Sequence, residues 1–508
     1  MRILLLSTLA LTTSVLAQTT VYSNAAPRAT STVIAGSDTG APSLRYWGAS
    51  ATDGTSLFNF GGRGVSAAGT ANTTYYNGLD AYNPTTGAWT NLSADGNPAA
   101  PGNRFRQAMA FDANGNRLVI FGGSSAPGLT SSDGWAFDLG TNTWSSIPNS
   151  NPGTTGPSDR YDAKMAFDPA SGLVVLFGGD GPTSGAGDRL NDTWLLAGNT
   201  WIPTTPANAP SARSLFTMTS RSAPYNDVIL VGGQDSAGVR QNDTWRWDGT
   251  ASNWVQITPI NATVPVTFGG GNDSVYDSVR QVVVIINGTG TGIAPSNLTG
   301  AGGWTSEYDC VTNEWRAYGA DLTDQGADDP IIGNHQRFAV AFLNGKTYFW
   351  GGQNAPSVGD INLPFVKEYQ ASPLASAVSY GIGCNGSAGS ALTLTADNEP
   401  WTGRTWSGTC SNLGTTTLAL QIFGLSTASV PLATILPGFG QPGCLLLNSA
   451  ESVTGPLLPA AGTAPISIAL PNTPALAGQS LHAQVAEINL TLTGLWTSNG
   501  LTLTIGAL

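Results

Sequence analysis

Six short apolar runs recur along the chain, each closing on a pair of small turn-forming residues, with the last residue of each pair at positions 62, 123, 179, 233, 288 and 352. Chance does not produce that spacing, and a repeat of this length marks an architecture of stacked or radially arranged units. The clear copies are Phe58-Asn59-Phe60-Gly61-Gly62, Leu118-Val119-Ile120-Phe121-Gly122-Gly123, Val174-Val175-Leu176-Phe177-Gly178-Gly179 and Val228-Ile229-Leu230-Val231-Gly232-Gly233. Val283-Val284-Ile285-Ile286-Asn287-Gly288 is degenerate, and Tyr348-Phe349-Trp350-Gly351-Gly352 closes the series. A run that is apolar at successive positions suits a strand covered on both faces. The paired glycines permit positive φ and close backbone approach where that strand ends.

Each copy continues into an aromatic strand, a turn and a Trp: Trp135 then Trp144, Trp194 then Trp201, Trp245 then Trp254, Trp304 then Trp315, with Tyr82 and Trp89 in the first. Upstream of the glycines another strand is opened by an arginine, Arg45, Arg104, Arg160, Arg213 or Arg337, which only the fifth copy lacks. These motifs resemble kelch repeats over residues 40–370. The resemblance implies an all-β fold, a six-bladed β-propeller with four-stranded blades. Radial closure lets each blade bury both faces and removes long exposed edges. The sixth copy has three strands and no following Trp strand, so the segment Thr19 to Gly36, with Ser31-Thr32-Val33-Ile34-Ala35, is expected to supply its outer strand and fasten the ring.

The chain is 41% hydrophobic and only 10% charged, with 64 Gly and 31 Pro, which fits a folded, turn-rich β protein. A net charge of -12 argues against nucleic acid as a partner, since phosphate binding needs clustered Lys and Arg. Residues 1–17 read as a signal peptide: Met1-Arg2 is positive, Ile3 to Leu16 is mostly apolar, and Val15-Leu16-Ala17 is a small-x-small cleavage site. No later stretch is long and apolar enough to span a bilayer, so a secreted or cell-surface protein is expected, with the propeller over residues 18–372. From 373 to 508 the pattern shifts to Thr-rich alternation, as in Leu392-Thr393-Leu394 and Leu501-Thr502-Leu503-Thr504-Ile505, which predicts a C-terminal β-sandwich. Tyr380-Gly381-Ile382-Gly383-Cys384, Gly440-Gln441-Pro442-Gly443-Cys444 and Ser498-Asn499-Gly500-Leu501 resemble a C-terminal module that recurs on large secreted bacterial proteins. That resemblance implies a disulfide between Cys384 and Cys444. Cys310 and Cys410 then either tie the two parts together or stay as free thiols.

The chemistry is bounded by two histidines, His335 and His482, in different parts of the chain. A copper-radical oxidase of the galactose oxidase type resembles this architecture but needs two His and two Tyr around its metal. There is no zinc pattern and no nucleophile elbow, and Gly269-Gly270-Gly271 does not open a helix as a phosphate loop would. Strand parity is more informative. The repeated arginine begins the first strand of each copy and so shares a face with the loops after each glycine pair, which carry Arg63, Asp180, Gln234, Asp235, Gln353 and Asn354. The candidate ligand-binding set is therefore Arg45, Arg104, Arg160, Arg213 and Arg337 with Arg63, Asp235 and Gln353. The arginines serve either as an anion seat or as braces between blades. Asp321, Asp324, Asp328 and Asp329 are weaker candidates for Ca²⁺, since their spacing departs from an EF-hand and a solvated loop accounts for them; no other cofactor is expected. The leading reading is a secreted binding protein for a glycan or a surface protein. A glycan-processing epimerase or lyase, and a structural component of the cell surface, are the alternatives.

Overall fold

The computed structural model describes residues 29–33, 40–43, 45–65, 71–126, 129–182, 188–259, 273–286, 305–318, 339–351, 366–371, 375–471, 473, 476–491 and 493–506. Among them each repeat copy forms an antiparallel sheet that runs from an inner to an outer strand. In the second, Ala108–Asp112 pairs with Arg117–Phe121, which pairs with Gly134–Asp138, which pairs with Thr143–Ile147. The third, fourth and fifth copies repeat this order, and the first adds the short strand Arg45–Tyr46. The inner strands, Ala49–Thr52, Ala108–Asp112, Lys164–Asp168, Thr217–Arg221, Asp273–Asp277 and Ala339–Leu343, lie each against the next, and the last lies against the first. The arrangement is a β-propeller.

The apolar runs explain the packing. In Arg117–Phe121, Leu118 and Ile120 pack against Phe58 and Phe60 of the preceding blade, while Val119 and Phe121 pack against Val174 and Leu176 of the following one. One strand thus serves two interfaces, and each fully buried side chain stabilises by about 1.5–3 kcal/mol. The outer-strand tryptophans belong to the same core: Trp144 meets Phe60 with ring centroids 5.2 Å apart, Trp201 meets Phe121 at 5.0 Å and Trp254 meets Phe177 at 5.2 Å.

The glycine pairs make the blades fit. Gly122 and Gly123 have φ of 68° and 94°, and a Cβ on Gly122 would lie 2.5 Å from the carbonyl oxygen of Arg160 in the next blade. The Gly123 amide donates to that oxygen at 2.9 Å. The same approach recurs between Gly351 of the sixth blade and the carbonyl of Arg45 in the first.

The sixth sheet is closed from the far end of the chain. Ala29–Val33 pairs antiparallel with Val366–Ala371, and Ser31 lies across from Tyr369.

Beyond residue 375 the alternating segments form a sheet in the order Ser376–Tyr380, Gly500–Thr504, Ser480–Asn489, Thr417–Gly424, Ser452–Leu457, and a smaller one of Thr393–Ala396, Thr405–Ser411 and Ala464–Ala469. The two share a core that includes Leu394, Trp406, Phe423, Val485 and Leu503. Cys384 and Cys444 are bonded, closing a 60-residue loop. Cys310 and Cys410 are free thiols, and burial pushes them up to about 11 and about 12. Among the described residues no helix is long and apolar enough to cross a membrane.

Candidate functional site

The residues before each inner strand pair with those after each glycine pair: Tyr46 with Arg63, Tyr161 with Asp180, Ser214 with Gln234. The parity of the strands therefore gathers these segments on one face, around the mouth of the central channel.

Arg160 shows what the repeated arginine does there. It is 0% exposed; Nε donates to the Ser158 carbonyl at 3.0 Å, Nη1 to the Gly178 carbonyl at 3.1 Å, and the fork grips both oxygens of Asp192 at 2.7 Å each. Arg104 does the same with Gly102, Gly122 and Asp133, and Arg213 with Ser211, Gly232 and Asp243. Arg45 uses Ser43, Gly61 and Asp95. The expectation of ligand-facing arginines gives way at these four positions, because the carboxylate they recognise is the protein's own. Each of Asp133, Asp192 and Asp243 also accepts from the indole two residues on, Trp135, Trp194 or Trp245. The Asp-x-Trp spacing, three times repeated, is the sequence signal for these partners. Arg337 and Gln353 lie outside the described residues, as do Asp321, Asp324, Asp328, Asp329 and His335. Asp235 caps its own loop, accepting from the amides of Ala237 and Val239 and from Gln241.

The carboxylates of three of these braces shift in the same direction. Burial pushes the carboxyls of Asp133, Asp192 and Asp243 up, yet the hydrogen bonds and charge of their arginines, with the indole bonds, hold all three below the usual value. A folded-state pKa below the unfolded one stabilises fully above the unfolded value and is lost as pH falls through the folded one. Stability should therefore drop below about pH 4, near the ordinary Asp value. Denaturant melts between pH 6 and 3 should show this decline, and Asp192→Asn should flatten part of it.

What faces outward beside the braces is different chemistry. Two residues after each arginine stand Trp47, Arg106, Asp162 and Leu215, with φ of 59°, 59°, 51° and 59°. This left-handed conformation is uncommon for such residues and is held here by the surroundings. The Arg106 amide donates to the Trp47 carbonyl and the Asp162 amide to the Arg106 carbonyl, both at 2.9 Å, so these positions are strung from blade to blade. The Arg106 guanidinium lies 3.9 Å from the Trp47 ring centre and 5.3 Å from that of Tyr161, and pairs with Asp162 at 3.4 Å. Tyr75 stacks on Phe105 at 5.1 Å, and Arg63 sits 6.0 Å from both Tyr46 and Tyr75. A half-buried patch of aromatic rings and guanidinium groups thus spans the first three blades. Sequence reasoning named Arg63 but missed Trp47, Tyr75 and Arg106; Trp47 and Arg106 are signalled only by standing two residues after the repeated arginine.

Next to the patch, Arg189 donates to Asp180, Ser214 and Gln234 at 3.2, 3.0 and 2.8 Å. Burial and the nearby Asp162 push Asp180 up despite these bonds. Among the described residues no three His, Cys, Asp or Glu side chains group as a metal site. His482 is a buried strand residue within 3.1 Å of Thr502 Oγ1, and burial lowers its pKa.

The profile of the KLHDC2/KLHL20/DRC7 kelch-repeats domain matches residues 22–155, 49–288 and 115–352 in overlapping registers. Kelch domain-containing protein 10 of Xenopus tropicalis is 29% identical over 214 residues, 41% of this chain and 48% of its own length, and the Xenopus laevis protein is 28% identical over the same span. Dynein regulatory complex subunit 7 of Chlamydomonas reinhardtii is 32% identical over 126 residues, 25% of this chain and 10% of that one. The chain thus spans about half the length of the first two relatives. A solved structure titled "Structure of YjhT" aligns at a TM-score of 0.44 with 15% identity, covering 64% of this chain and 95% of that one. With overlapping matches running from residue 22 to 352 on a ring of repeated four-stranded blades, the chain belongs to the kelch-repeat family.

Proposed function

We propose that the protein is an exported binding protein that takes a glycan or a surface protein on the aromatic and arginine patch at the channel mouth. Kelch domains mediate protein interaction, and the patch is the observation that carries the reading. Flat rings beside guanidinium groups suit a partner that offers both a face to stack on and acceptors for charged hydrogen bonds. A rigid ring with the site held on its loops costs little ordering when the partner binds. Export follows from the reading of residues 1–17, and acidic glycans are the class that matches half-buried Arg63 and Arg106 in an otherwise acidic chain.

A glycan array of neutral and acidic oligosaccharides tests the reading directly. Tyr75→Ala and Arg106→Ala should each weaken binding to an array hit by about 10- to 100-fold, roughly 1–3 kcal/mol, while leaving the melting temperature within a few degrees. Unchanged affinity in both variants would reject the patch as the site. An array without hits would move the reading to a protein partner.

A further inference from the structure

In five blades the outer strand sets a Trp across from a large side chain of the third strand: Trp89 opposite Tyr82, Trp144 opposite Phe137, Trp201 opposite Leu196, Trp254 opposite Trp247 and Trp315 opposite Tyr308. In the sixth the residue across from Tyr369 is Ser31, and its strand, Ala29–Val33, contains no Trp. By pattern alone, the core between the fifth and sixth blades lacks a tryptophan.

The core nevertheless contains one. Trp401, from the C-terminal region, is 4% exposed and packs with Val282 and Val284 of the fifth blade and with Val340, Phe349 and Tyr369 of the sixth. By register, those last three stand where Met109, Ile120 and Phe137 stand around Trp144 in the second blade. Three residues further on, Arg404 Nη2 donates to Asp309 Oδ1 at 2.9 Å, at the end of the fifth blade's third strand, where Asp309 is 0% exposed. The seam also carries a buried polar network. Arg280 joins Asp277 at 2.6 Å and Glu307 at 2.8 Å, and the Tyr369 hydroxyl donates to Glu307 at 2.9 Å. Such a network is stable only while water is kept out and its geometry is held.

The segment bearing Trp401 is itself clamped. Thr402 donates to the Gly506 carbonyl at 3.0 Å, and Gly506 donates to that of Pro400 at 2.9 Å. A Cβ on Gly506 would lie 2.4 Å from the Trp401 ring and 2.5 Å from the Ala375 nitrogen. Glycine at 506 is thus a condition for the Trp401 position.

We propose that the C-terminal region is a keystone of the ring: Trp401 supplies the seam between the fifth and sixth blades with the tryptophan its outer strand lacks, and releasing it opens that seam alone. Hydrogen exchange of the full-length protein reads this blade by blade. In Trp401→Ala, amides of Val282–Ile286 and Lys346–Trp350 should exchange at least tenfold faster, while those of Arg117–Phe121 and Leu173–Phe177 keep their rates. Trp144→Ala is the matched control and should speed exchange between the first and second blades instead. Gly506→Ala should reproduce the Trp401→Ala pattern in weaker form by displacing the ring. If Trp401→Ala is not recovered folded, Trp401→Leu is read in the same way. Unchanged exchange at the fifth and sixth blades, or an equal rise in all blades, would overturn the proposal.

Discussion

Replacing Asp192 by alanine should cost more stability than replacing Arg160, although the two are partners in one ion pair. Arg160 is 0% exposed, whereas the Asp192 side chain keeps 37% of its surface in contact with water. Removing the aspartate strands a guanidinium charge in the protein interior, and an uncompensated buried charge costs about 3–5 kcal/mol. Removing the arginine leaves a carboxylate that water can still reach, plus the buried Gly178 carbonyl without its charged donor, for about 1–3 kcal/mol. Urea unfolding of both variants and of the double variant measures this order. The double variant should be less destabilised than the sum, because its second change removes the orphan left by the first. Equal stability in all three proteins, with weaker binding to acidic glycans, would return these arginines to the role of an anion seat.

Deleting residues 29–33 should lower the melting temperature by about 10 °C and make the protein associate. The five-residue ladder to Val366–Ala371 is lost, at about 1 kcal/mol for each hydrogen bond, and a domain of this size shifts by about 2–4 °C for each kcal/mol. The strand left behind then presents an open edge, which invites pairing with a second chain. Thermal melts and size-exclusion chromatography of the deletion variant check both parts, and a synthetic peptide of residues 19–36 should restore the melt. A variant that melts like the parent and stays monodisperse would show that the ring holds without its N-terminal fastening.

The ring was legible in the sequence because its physics repeats. Each blade uses the same doubly covered strand, and most add the same glycine pair and outer tryptophan, so six imperfect copies reinforce one another. The strand at 29–33 was found by subtraction, from a sixth copy with only three strands of its own. The arginines were found but their partners were not: Asp133, Asp192 and Asp243 lie 29, 32 and 30 residues downstream, across a glycine turn and a loop, and their repeated Asp-x-Trp spacing does not say which side chain each carboxylate meets. The aromatic and arginine patch was hidden for another reason. Trp47, Arg106, Asp162 and Leu215 share a backbone position but no chemistry, so only the coordinates reveal them as equivalents. Trp401 sits in a Thr-rich stretch with no repeat to compare it with, and its place in the propeller follows from long-range packing alone.

The pairing of Ala29–Val33 with Val366–Ala371 also orders events in time. The two strands are separated by more than three hundred residues, so the entropy of closing that loop must be met before any of their hydrogen bonds form. Blades two to five are local units and can form as the chain lengthens, but the sixth cannot exist until its three later strands have emerged. A chain threaded from its N-terminus therefore carries its clasp, unpaired, until the strand Val366–Ala371 has been made. Ring closure is then a late step of assembly, with a rate set by topology more than by stability. The interval before it is when a free N-terminal strand can clasp the wrong ring.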